Sequence, residues 1–181
     1  LGSRGLGDVY KRQDILYCNY SNPIRKERKR KMYCGCSYFQ EDRQMAVVEE
    51  ILRSEADGSI SFGNHKLAKK AKVEDYEHAG DLLKVKTYNE MTKLEKNGMF
   101  LYESVPGTSV LEFKEADNSV EFIVEGDEDS QITVGLKDDT EYEVFIDGKN
   151  VGTMKTGLGG KLSLSVELEA AGEVPVKIVE A

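Results

Sequence analysis

Apolar and polar residues alternate with a period of two along much of the chain. In "KLSLSVELE", Leu162, Leu164, Val166 and Leu168 share one face, and Ser163, Ser165 and Glu167 the other. "TEYEVFID" sets Tyr142, Val144 and Ile146 against Glu141, Glu143 and Phe145. "SVEFIVEG" repeats the pattern with Val120, Phe122 and Val124, and "SQITVGL" with Ile132, Val134 and Leu136. Successive side chains of a strand point to opposite faces, so this period predicts half-buried strands. Earlier in the chain it predicts strands over 47–53, 59–62, 72–78, 82–88, 91–95 and 99–103. No window of similar length carries a helical stripe.

The breaks between these runs have turn chemistry. Asp57-Gly58, Asn97-Gly98 and Asp147-Gly148 are hairpin dipeptides, because their residues accept positive φ at little cost. "EHAGD" and "TGLGGK" add two more Gly-containing breaks. "VPVKIVEA" reads as a final strand. Pro175 has no N–H to give to a ladder, which predicts an edge position. The fold class expected is all-β: an antiparallel meander over 45–104, a joint at "VPG" (Val105 to Gly107), and an immunoglobulin-like β-sandwich of about seven strands over 105–181. The chain has no Trp, so the immunoglobulin likeness is architectural only.

Composition divides the chain at a different place. Residues 1–44 hold ten Lys/Arg and five Asp/Glu, a net of +5; residues 45–181 hold 15 and 28, a net of −13. Cys18, Cys34 and Cys36 all precede Met45. "SRGLGDVYKRQ" (Ser3 to Gln13) reads as the translation of a transposase-type sequencing-library adapter. "QED" before Met45 can be written CAG GAG GAC, which contains AGGAGG, a ribosome-binding core. Residues 1–44 are therefore expected to be a non-native, disordered leader: adapter over 3–13, and a read-through of untranslated sequence over 14–44. This sets aside "RKERKRK" as a nucleic-acid patch. It also sets aside Cys34 and Cys36, since a structural zinc site needs four ligands.

The acidic remainder argues against nucleic acid and anionic membrane as partners. It carries no signal peptide and no stretch long enough for a transmembrane helix, so a cytoplasmic protein is expected. His65 and His78, the only histidines, lack metal-ligand partners at helical spacing and are expected to be exposed or in turns. There is no G-x-S-x-G elbow and no phosphate-cradling loop, and "GLGG" (Gly157 to Gly160) reads as a turn. The acidic loops offer Asp127, Asp129, Asp138 and Asp139 as candidate calcium ligands, although a solvated acidic turn is the plainer reading. No cofactor is expected. Phe145, out of phase with its strand, is the candidate for a binding face.

Three stretches, "DGSISFGN", "GDLLKVKTYNEMTKLEKNGMFLYESVPG" and "TEYEVFIDGKNVGTMKTGLGGKLSLSVEL", resemble a family of small proteins from Clostridia of the Lachnospiraceae type. Its members are called endosialidase catalytic beta chain or uncharacterised. The resemblance covers residues 45–181 and brings no catalytic residues with it. Sialidases grip a carboxylate with several arginines, whose guanidinium binds it bidentately. No arginine follows Arg53 here, so sialic acid cleavage is not expected. The expected function is a non-catalytic binding or structural module for a protein or glycan partner. The alternatives are a carbohydrate-binding accessory domain and the endosialidase-related chain that the resemblance implies.

Overall fold

In a computed structural model, which describes residues 48–181, the period-two segments form thirteen strands and the described residues contain no helix. They are β1 (Leu52–Ser54), β2 (Ile60–Phe62), β3 (Ala71–His78), β4 (Asp81–Tyr88), β5 (Met91–Lys96), β6 (Met99–Val105), β7 (Ser109–Ala116), β8 (Ser119–Glu125), β9 (Ser130–Gly135), β10 (Glu141–Ile146), β11 (Lys149–Lys155), β12 (Lys161–Val166) and β13 (Glu173–Glu180). The expectations placed on residues 1–44, including the basic run and the cysteines, lie outside the described residues. The strand expected over 47–53 is confined to β1.

Two antiparallel sheets result. One has the order β1-β2-β7-β8-β13-β10-β11 and the other β12-β9-β6-β5-β4-β3. Hairpins at Asn97-Gly98 and Asp147-Gly148 have positive φ at both central residues. That is the type I′ geometry whose twist matches the flanking strands. The inward faces form one continuous core, with Val110, Phe122, Val144 and Ile178 from the first sheet against Val85, Leu94, Val134 and Leu164 from the second. Phe62, Phe113 and Phe122 surround Tyr102 edge-on, with ring centroids 5.4 to 6.4 Å away. Edge-to-face rings set the positive rim of one against the negative face of another. Tyr102 stands on β6 and the three phenylalanines on the facing sheet, so this cluster joins the two layers.

The segments 45–104 and 105–181 share both sheets. β2 pairs with β7, and β6 pairs with β9. The seven strands after Val105 split five and two, and β3 to β6 complete the smaller share. The sandwich is therefore not confined to residues 105–181, and Ala46–Ala181 form a single compact unit. Alternation shows which face a strand buries but not which neighbour it meets, so the sequence pattern suggested a joint where the chain only changes sheets.

Pro175 also departs from expectation. β13 lies inside its sheet, between β8 and β10. The Asp147 amide donates to the Pro175 carbonyl, so the missing N–H of Pro175 faces the same side. The bond it leaves out is only the return half of this last Asp147–Pro175 pair, where β10 ends at Ile146.

Candidate functional site

Phe145 points outward because Tyr142 and Val144, at the alternate positions of β10, are buried. Across the outer face of the seven-stranded sheet, register aligns Phe145 with Lys177, Lys177 with Glu121, and Glu121 with Lys114. Lys177 Nζ lies 2.8 Å from Glu121 Oε1. The next row is apolar: Pro175 faces Ile123, which faces Leu111. A groove of about 500 Å³ runs over both rows, with Asp57, Glu112 and Gly148 on its rim.

Two bulges flank the groove. β7 shifts register against β8 between Leu111 and Lys114, and Glu112 has φ +53°. β10 shifts against β11 between Val144 and Phe145. A bulge adds one residue to a strand and bends it, and bulges recur where a surface is re-aimed toward a ligand. The groove offers one ring face, an aliphatic floor and alternating charges. Its polar lining is carboxylates and ammonium groups: Asp57, Glu112 and Glu121 with Lys114 and Lys177.

His65 was expected to be exposed or in a turn; it lies in a turn but is buried at one end of the sandwich. Its Nδ1 lies 2.9 Å from Ser109 Oγ, and its Nε2 lies 3.5 Å from Asp127 Oδ1 without a hydrogen bond. Burial holds its pKa below the ordinary value, against the opposing pull of the Asp127 carboxylate. The order Ser109–His65–Asp127 imitates a catalytic row, but Ser109 is wholly buried. Beside it Glu125, opposite Ser109 in the β7–β8 register, has its pKa raised by burial, and its Oε2 is buried without a partner.

The same end of the core holds a chain of buried hydroxyls. Asn64 N–H donates to Thr87 Oγ1 at 2.9 Å, and Thr87 Oγ1 meets Thr92 Oγ1 at 2.8 Å. Thr92 donates to the Thr108 carbonyl at 2.7 Å. Thr108 Oγ1 meets both the Tyr102 hydroxyl and Ser104 Oγ, at 2.9 and 2.8 Å. Buried polar groups cost stability unless paired. These pairings show a structural role for the threonines, one that no local motif announces.

The four candidate calcium ligands stand apart. Asp127 and Asp129 precede β9, and Asp138 and Asp139 follow it, so six strand residues, about 20 Å, separate the pairs. Asp129 Oδ1 accepts from the Leu168 and Glu169 amides, and Asp139 pairs with Lys155 at 2.8 Å. Among the described residues, no three His, Cys, Asp or Glu side chains gather as a metal site requires. His78 bridges the sheets at the opposite end from His65, with Ser54 Oγ on Nδ1 at 2.8 Å and the Gly58 carbonyl on Nε2 at 3.1 Å. No helix among the described residues is long and apolar enough to cross a membrane.

No family model, curated protein or solved structure matches the chain.

Proposed function

We propose that the chain is a non-catalytic binding module whose ligand face is the groove around Phe145. The observation that carries this reading is the pair of bulges that frame a ring, an aliphatic row and a charged row on an otherwise regular outer sheet face. Exposed rings flanked by paired polar groups are the usual anchors of recognition surfaces. A protein segment, bound by its own side chains, is the favoured ligand. A glycan is the second reading, because one ring with carboxylates and ammonium groups around it also suits a sugar face and its hydroxyls.

The test uses Phe145→Asp. Wild type and variant are compared for what each retains from a lysate of a gut clostridium and on a glycan array. The expected result is a species or sugar held by wild type and lost, at least tenfold, by the variant, with unchanged thermal stability. Identical retention by both on both platforms defeats the reading.

A further inference from the structure

Each sheet of a sandwich ends in strands with unpaired N–H and C=O groups, and proteins generally blunt such edges with bulges, charges or brevity. Among the described residues, three of the four edges are blunted. β1 has three residues. β3 bulges between Val73 and Tyr76, with Asp75 at φ +57°, and carries the Lys72–Glu74–Lys84 charge cluster. β11 lies against a register shift, with Gly152 at φ +121°. β12 differs from these. It pairs with β9 over Lys161–Val166 without a shift, contains no proline, and shows small Ser163 and Ser165 on its outer face.

The Leu136 amide donates to the Gly160 carbonyl, and these residues continue the β9–β12 register. The even-numbered residues of β12 therefore bond toward β9, and residues 161, 163 and 165, with Glu167 continuing the alternation, aim their N–H and C=O groups away from every other described strand. A second strand must present a matching set. β12 itself does so when run antiparallel with Leu164 on the two-fold axis. Lys161 then faces the other copy's Glu167, and Ser163 its Ser165, in hydrogen-bonded pairs; Leu162 faces Val166 between them.

We infer that β12 pairs with β12 of a second copy, joining two six-stranded sheets into one across a two-fold axis. The occupant is argued from self-complementarity. One strand carries a cation at its start and an anion just past its end, which suits an antiparallel copy and opposes a parallel one. The same axis carries Leu158, fully exposed in the loop before β12, toward the exposed Ala170 and Ala171 in the turn after it. In the single chain, Lys161 Nζ rests 4.4 Å from the Phe100 ring centre; such exposed contacts are weak, and its stem lets the ammonium turn to Glu167. The inference is independent of the Phe145 groove.

The experiment is sedimentation velocity on the full chain under reducing conditions, from micromolar to near-millimolar concentration. Wild type is expected to pass from monomer to dimer over this range, as a small interface does. Lys161→Glu alone and Glu167→Lys alone each set like charges opposite, and each is expected to weaken the dimer at least tenfold. Mixing the two single variants pairs opposite charges again and is expected to restore a heterodimer. That rescue separates the inference from misfolding, since a misfolded chain is not repaired by a partner. A monomer throughout, or a dimer indifferent to both changes, or no rescue on mixing after both variants weaken it, overturns the inference.

Discussion

His65 is buried and Glu125 half-buried, the fold disfavours the charged form of each, and they act on stability with opposite signs. The His65 pKa is lowered below its ordinary 6.5. Below that value the unfolded chain binds a proton that the folded chain resists, so stability is lost as pH falls from 6.5 toward the depressed folded value. The Glu125 pKa is raised above its ordinary 4.5. The folded chain then binds the extra proton in the window just above 4.5, so its contribution grows as pH falls there. Lys66 favours the Glu125 carboxylate, whereas Asp127 favours the His65 cation. Replacing His65 by Gln is expected to lower the melting temperature near neutrality but to flatten its decline between about pH 7 and about pH 5. Thermal melts of wild type and His65→Gln across that range check it, and equal slopes refute it. The sequence placed His65 among exposed or turn residues because nothing local marks burial. Ser109, its partner, is 44 positions away, and only the pairing of β2 with β7 brings the two together.

At the scale of elements, the end of the core occupied by the threonines depends on close backbone approach. A Cβ at Gly107 would lie 2.0 Å from the Tyr88 carbonyl oxygen, and both atoms belong to backbone that ladders hold in place. Gly107 N–H donates to the Asn89 carbonyl at 2.9 Å, which pins the loop to the β4–β5 hairpin. Gly107→Ala must therefore part the loop from the hairpin and loosen Thr108, the hub for Tyr102 and Ser104. The expected loss is about 3 kcal/mol in urea unfolding, toward the upper end of overpacking costs. A loss below about 0.5 kcal/mol, the scale of an ordinary surface change, contradicts the argument. Strands were legible from the sequence where one face is fully apolar, as in β8, β9, β10 and β12. Their bulges were not, since a shifted register depends on the neighbouring strand. For this reason Phe145 was visible as an out-of-phase residue, whereas Ile123, Lys177 and Lys114 became its companions only through pairing across three other strands.

For the molecule as a whole, the interleaving of both segments in both sheets makes half a chain insufficient. Residues 45–104 alone would leave β6 without β9 and β2 without β7; residues 105–181 alone would leave β9 and β12 as an isolated pair. A two-stranded ribbon is marginal in water. Each fragment expressed separately is expected to lack the cooperative melt of the intact chain, as followed by circular dichroism. A cooperative transition in either fragment would mean that a boundary at Val105 exists after all. The all-β class and the strand count after Val105 followed from periodicity and turn dipeptides. The partition did not, because alternation is a property of each strand and topology a property of pairs.

The interior place of β13 has a consequence in time. It fills the gap between β8 and β10, yet it is the last of the thirteen strands to leave a ribosome. At roughly 5–20 residues per second, β8 waits several seconds for its neighbour. During that interval the larger sheet exists as two pieces with raw inner edges, exposing Phe122, Val124 and Val144 to whatever else the cell is folding. Closure of this barrier to association is a late, long-range event of the kind that folds slowly. Until the segment around Val176 arrives, both pieces keep the kind of unpaired strand edge that invites association.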